Sequence, residues 1–154
     1  MPHPQHILLA EDEDNDVFFI KRAFQKALVT NPIHRVRDGE EAQCYLAGKG
    51  PFSDREKFPL PLMLLLDLKM PKISGLEVIS WIRQQPGLKG LVVAVLTFAK
   101  ETSEVEKAMA AGANGALVKP VDLHGLLEMM SQVRLCWEIK PCGSLIPEND
   151  SLEL

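Results

Sequence analysis

The chain has 154 residues, enough for one domain with a self-sufficient core and too few for a comfortable second. Its 46% apolar and 25% charged residues exclude disorder as the dominant state, and the net charge of −4 argues against nucleic acid as the partner of the whole surface. Uncharged apolar runs reach only eight or nine residues (59–66 and 91–99), against roughly 20 for a membrane-spanning helix, so no membrane partner is expected.

In chain order, the first candidate element is the apolar run Ile7, Leu8, Leu9 and Ala10, read as a strand buried on both faces. Val17, Ile20, Phe24, Ala27 and Leu28 then recur at three or four residues among Lys21, Arg22, Gln25 and Lys26. This is an amphipathic helix whose start Asp14, Asn15 or Asp16 can cap. Residues 34–37 form a short, less apolar strand suited to a sheet edge. A second helix over residues 40–47 ends at Gly48, and the segment 49–61 that follows contains balanced charge (Asp54, Arg55, Glu56, Lys57), so a solvated loop is one of two readings of it. Leu62 to Leu66 form a third strand, and Leu76, Ile79 and Ile82 a third helix, opened by Ser74 and closed by Pro86 and Gly87. Leu91 to Leu96 give a fourth strand. Val105, Ala108, Met109 and Gly112 mark the fourth helix. Residues 115–118 give a fifth, edge-type strand, and Leu123, Leu126, Leu127, Met130 and Val133 a fifth helix capped by Asp122.

Strand and helix alternate five times, which implies a single α/β domain, a doubly wound (βα)5 unit with a five-stranded parallel sheet. With right-handed connections and the three most apolar strands at the centre, the strand order is 2-1-3-4-5. Ligands of such sheets bind beyond the carboxyl ends of the strands, where the order reverses. The residues at those ends are Glu11-Asp12-Glu13-Asp14 after strand 1, Asp67 after strand 3, Thr97-Phe98 after strand 4 and Lys119-Pro120 after strand 5. Glu13, Asp14 and Asp16 read as solvated loop or cap residues. Glu11, Asp12 and Asp67 fall on one rim, and three converging carboxylates need a counter-charge. A divalent cation chosen by oxygen ligands and the Lys119 ammonium can each supply it, with the Thr97 hydroxyl as a donor between them. That set of groups is what a phosphoryl group requires, and Asp67 would be the nucleophile.

At residues 5–137 the chain resembles the receiver domain of two-component response regulators. The resemblance rests on Glu11-Asp12, on the Leu66-Asp67-Leu68-Lys69-Met70-Pro71 segment with Gly75 beyond it, on Leu96-Thr97, and on Val118-Lys119-Pro120. It implies a flavodoxin-like fold and a single-domain regulator that accepts phosphate on Asp67 from a sensor histidine kinase or phosphotransfer protein and signals by protein contact. Such a protein is not an enzyme, but a phosphoacceptor that takes part in its own phosphorylation and dephosphorylation. The resemblance further implies Mg2+ (or Mn2+) on Asp12, Asp67 and the main-chain carbonyl of Lys69, with Glu11 acting through water. Thr97 and Lys119 would bind the phosphoryl oxygens, and the Lys119-Pro120 bond would be cis. The segment 49–61, the Glu-Asp pair and the last helix running into Trp137 are similar to stand-alone regulators of the phytochrome-response type.

Two positions depart from the family pattern. Ala116 stands where many receivers have an aromatic residue that swings inward, so a signal is expected to leave by repacking around the fourth helix, strand 5 and the fifth helix. Phe98 stands where a small residue is usual and should slow access to Asp67. It also keeps open an alternative, a receiver-like binding scaffold that is not phosphorylated. A phosphatase reading fails because such enzymes place a second acid two residues beyond the nucleophile, where Lys69 stands here. Leu135, Trp137 and Ile139 would expose an apolar surface. It either packs back on the domain or forms a homodimer through the fourth helix, strand 5, the fifth helix and the arm of residues 138–154, which lies outside the receiver (1–137). Cys44, Cys136 and Cys142 form no CxxC pair and His3, His6, His34 and His124 show no metal spacing. With residues 1–6 unlike a signal peptide, a cytoplasmic home is expected.

Overall fold

The computed structural model describes residues 5–99 and 102–133. Five strands, β1 (Ile7–Ala10), β2 (Ile33–Val36), β3 (Met63–Asp67), β4 (Val92–Thr97) and β5 (Gly115–Val118), alternate with five helices, α1 (Asp14–Lys26), α2 (Gly39–Ala47), α3 (Gly75–Gln84), α4 (Ser103–Ala111) and α5 (Leu123–Gln132). The sheet is parallel throughout, in the order β2-β1-β3-β4-β5. As expected, the most apolar runs are central and the two weaker strands are edges.

Every residue of β1 and β3 is buried, because helices cover both faces of the sheet. The two-residue period of a strand divides these side chains between two layers. Leu8, Ala10, Leu64, Leu66, Val93 and Val95 pack with residues of α2, α3 and α4. Ile7, Leu9, Met63, Leu65, Ala94 and Leu96 pack with Val17, Ile20 and Phe24 of α1 and Leu126 and Met129 of α5. Among the described residues no helix is long and apolar enough to cross a membrane.

Ser74 and Asp122 cap α3 and α5 as expected. Ser74 does so in a reciprocal box with Glu77. Helix α1 departs from expectation. Glu13 is its N-cap residue and makes no capping bond through its side chain, while Asp14 and Asp16 lie inside the first turn. Carboxylates there still favour the positive end of the helix dipole, and both side chains are engaged elsewhere. Helix α1 also stops at Lys26, two residues early, with Leu28 at φ 61. The third and fourth strands run one residue further than their apolar cores suggest, so Asp67 and Thr97 are the last strand residues rather than the first loop residues.

The segment 49–61 is not a solvated loop. A 3-10 turn (Gly50–Phe52) brings Phe52 into contact with Tyr45, His34 and Phe58, with ring centroids 5.1–6.0 Å apart. Arg55 donates to the carbonyls of Tyr45 and Leu46 at 2.8 Å and to that of Phe58 at 3.1 Å. Two of the last carbonyls of α2 and that of Phe58 are thereby satisfied by one guanidinium, beside Gly48, whose φ of 67 ends α2. The readings that fall on Trp137, Ile139, Cys136, Cys142 and the arm 138–154 lie outside the described residues.

Candidate functional site

Parallel pairing in this register places the ends of β1, β3, β4 and β5 side by side. Ala10 is level with Leu66, Asp67 with Leu96, and Thr97 with Val118. The next residues, Glu11 and Lys119, inherit that alignment. The Glu11 amide donates to the Val36 carbonyl at 3.0 Å, and the Lys119 amide to the Thr97 carbonyl at 2.7 Å. Gly75, at the start of α3, is needed for a steric reason: a Cβ there would lie 2.8 Å from Leu68 Cα and 2.9 Å from the Asp67 carbonyl oxygen. Any side chain would displace the backbone that presents Asp67.

Glu11, Asp12 and Asp67 each contribute a carboxylate oxygen to a cluster in which all lie within 4.8 Å of one another. Lys119 reaches into it. Its Nζ is 3.2 Å from Glu11 Oε1, 3.3 Å from Asp67 Oδ2 and 3.3 Å from Asp16 Oδ2, and the side chain is 4% exposed. Burial alone would lower the Lys119 pKa, but the charges of Asp67, Glu11 and Asp16 outweigh it and hold the ammonium above its ordinary range. Glu11 is the carboxyl whose charged form this setting disfavours. Burial first, then repulsion from Asp67, pushes its carboxyl up to about 7. Three carboxylates offering only oxygen suit a hard divalent cation, so the donor set fits a metal of that class.

Two predicted residues behave differently from the simplest expectation. The Thr97 hydroxyl is engaged within its own loop. It donates to the Ala99 carbonyl at 3.1 Å, while Thr97 lines a cavity of about 140 Å³ together with Asp67, Lys69, Phe98, Ala99, Thr102 and Glu104. Lys69 meets Asp67 through its main chain, its amide donating to Oδ1 at 3.0 Å, and its own ammonium lies 3.7 Å from Glu104. Phe98 is 69% exposed, with its ring centroid 4.9 Å from Lys119 Nζ. The bulky ring expected beside Asp67 thus shields the ammonium through a cation–π contact. The Lys119-Pro120 bond is cis.

Asp16 escaped sequence reasoning. It belongs with the acidic cluster rather than with solvated Glu13 and Asp14. The signal was its place four residues before buried Ile20, on the α1 face that meets the sheet. Ala116 is half-buried against the layer that holds α4.

A family model described as the response regulator receiver domain matches residues 7–131. The chain belongs to this family. The receiver is 31% identical over 134 residues to the response regulator Rcp1 of Synechocystis sp., covering 87% of this chain and 89% of that protein. Among solved structures, the bacteriophytochrome response regulator RtBRR matches with a TM-score of 0.81 and 34% identity, over 92% of this chain and 87% of that one. The Mn(2+)-bound form of Rcp1 matches with a TM-score of 0.69 and 32% identity, over 82% and 88% of the two chains. Homologues of this receiver therefore include phytochrome response regulators, and its role is phosphoacceptor signalling in a two-component system.

Proposed function

We propose that Asp67 is the phosphoacceptor of this receiver and that Mg2+ is held by Asp67, Asp12 and the Lys69 main-chain carbonyl, with Glu11 acting through water. The observation that supports this reading is the buried convergence of Lys119 with Asp67 and Glu11 at 3.2–3.3 Å. When bound, the cation supplies charge neutralisation for the transferring oxygens. An Asp67 carboxylate oxygen attacks the phosphorus of a phosphohistidine, forming a P–O bond as the P–N bond breaks and the imidazole departs. Lys119, already an ammonium, stabilises the added negative charge, and the Thr97 hydroxyl turns from Ala99 to donate to a phosphoryl oxygen. No finding favours a scaffold that is never phosphorylated.

The donor is a histidine kinase or phosphotransfer protein, in the cytoplasm. Output by protein contact, including a homodimer, suits the face of α4, β5 and α5, where Met109, Val118 and Leu127 are exposed. Incubation with acetyl phosphate and Mg2+ followed by intact-mass measurement tests the assignment. One phosphate adduct on the wild type and none on Asp67→Asn is the expected result. An adduct of equal yield on the variant, or none on the wild type, would overturn it.

Phe98 carries a second expectation. Its ring covers Lys119 on the side open to solvent, so Phe98→Ala should admit water and loosen the ammonium. Loss of phosphate from Asp67 is expected to quicken about 5-fold, or about 1 kcal/mol of barrier. Decay of the adduct followed by mass measurement checks this, and an equal or slower decay in the variant would count against the ring as a shield.

A further inference from the structure

Arg35 lies in β2, a strand that contributes no carboxylate to the acidic cluster, yet its guanidinium turns toward the loop that does. Nε donates to the Glu11 main-chain carbonyl at 2.7 Å, and Nη1 lies 2.9 Å from Asp14 Oδ1 in the first turn of α1. Since the Glu11 amide donates to Val36, both main-chain groups of Glu11 are tied to β2. The peptide plane leading from Glu11 to Asp12 is thereby fixed, and with it the direction in which Asp12 leaves the chain.

The ion pair alone does not account for this arrangement. The Asp14 side chain is 79% exposed and also faces Arg37 at 3.7 Å, and pairs so open to water contribute little. Arg35, in contrast, is only 15% exposed at its side chain, and its Nη2 is buried without a hydrogen-bond partner among the described residues. Burying a guanidinium and leaving one nitrogen unmatched is a costly way to meet a solvated carboxylate. The feature specific to Arg35 is its charged donor on the carbonyl that joins Glu11 to Asp12.

We propose that Arg35 is a positioning residue for the divalent cation, aiming Asp12 through the Glu11 carbonyl. This rests on the reading of Glu11, Asp12 and Asp67 as the cation site. Geometry and charge predict opposite signs, which makes the idea sharp. Removing a positive side chain would tighten cation binding if only its field mattered, whereas loss of positioning weakens it.

Calorimetric titration of the full chain with MgCl2 tests this, on the wild type, Arg35→Met and Asp14→Asn. Circular dichroism at the titration temperature establishes that each is folded. Arg35→Met is expected to raise the Mg2+ Kd about 10-fold, as supporting residues of metal ligands commonly do. Asp14→Asn, which breaks only the exposed pair, should shift it by about 2-fold or less. Should methionine prevent folding, Arg35→Gln takes its place with a weakening in the same direction. An unchanged or lower Kd in a folded Arg35 variant overturns the proposal, as does an equal loss in Asp14→Asn. A wild type that binds no Mg2+ overturns the cation reading itself and the role of Arg35 with it.

Discussion

Lys119→Met should lower the stability of the metal-free receiver by about 3–5 kcal/mol at pH 7.5, the size expected when one partner of a buried ionic cluster is removed. The side chain is 4% exposed and lies 3.2–3.3 Å from Glu11, Asp16 and Asp67. Methionine preserves most of the length and apolar stem, so packing changes little while the counter-charge vanishes. Buried Glu11 and Asp67 are then left facing each other, and only proton uptake or a cation relieves them. Urea denaturation should show the loss in the midpoint with little change in slope. Saturating Mg2+ should restore part of it, and Glu11→Gln in the same chain should restore more than it does in the wild type. A loss below about 1 kcal/mol would mean that the ammonium is not the main counter-charge.

The second large effect is a stability that rises on acidification. Glu11 in the folded state titrates at about 7, against 4.5 without the fold, because burial and Asp67 disfavour its charge. Between those values the native state holds a proton that the unfolded chain has released. Stability from this group is therefore fully present below about pH 4.5 and is lost as pH rises through about 7, up to about 3 kcal/mol in all. His34 works in the opposite sense. Its burial beside Tyr45, Phe52 and Phe58 lowers its pKa, so its contribution is present above 6.5 and fades as pH falls. The difference between wild type and Glu11→Gln isolates the carboxyl. Metal-free wild type should gain stability relative to that variant between pH 7.5 and 5.5, measured by thermal or urea unfolding. Parallel curves would refute the shift. The Mg2+ affinity should fall over the same range, since protons and the cation compete for the same oxygens.

Much of the architecture was legible in the chain because a central parallel strand needs apolar residues on both faces, and Leu64, Leu65 and Leu66 can serve few other purposes. Strand order followed from which runs were most apolar. The acidic cluster was legible too, since strand ends on one rim bring Glu11, Asp12 and Asp67 together whatever the side-chain details. Less accessible were features that depend on how a long side chain crosses space. Arg55 looked like one charge in a balanced run, and its partners are carbonyls of another element, invisible to any pattern of residue types. Arg35 sat in a weak edge strand for the same reason. Thr97 occupied the expected place, but a hydroxyl rotates to the nearest acceptor, and Ala99 supplies one. Asp16 resembled a cap because a carboxylate at a helix start usually is one. Only the reach of the long Lys119 side chain brings its ammonium to Asp16, at 3.3 Å.

Arg83 of α3 donates twice to the Gly112 carbonyl, at 2.7 and 3.1 Å, and reaches Asn114 Oδ1 at 3.1 Å and the Lys89 carbonyl at 2.9 Å. These contacts nail down the trailing end of α4, whereas its leading end adjoins the Thr97 loop. A nine-residue helix is a rod of roughly 13 Å, so a tilt of about 10° about that rivet sweeps the opposite tip through roughly 2 Å. A displacement at the Thr97 end would thus tilt α4 most at its first turn and fade toward Gly112, beside the small Ala116 that offers no aromatic ring to take part.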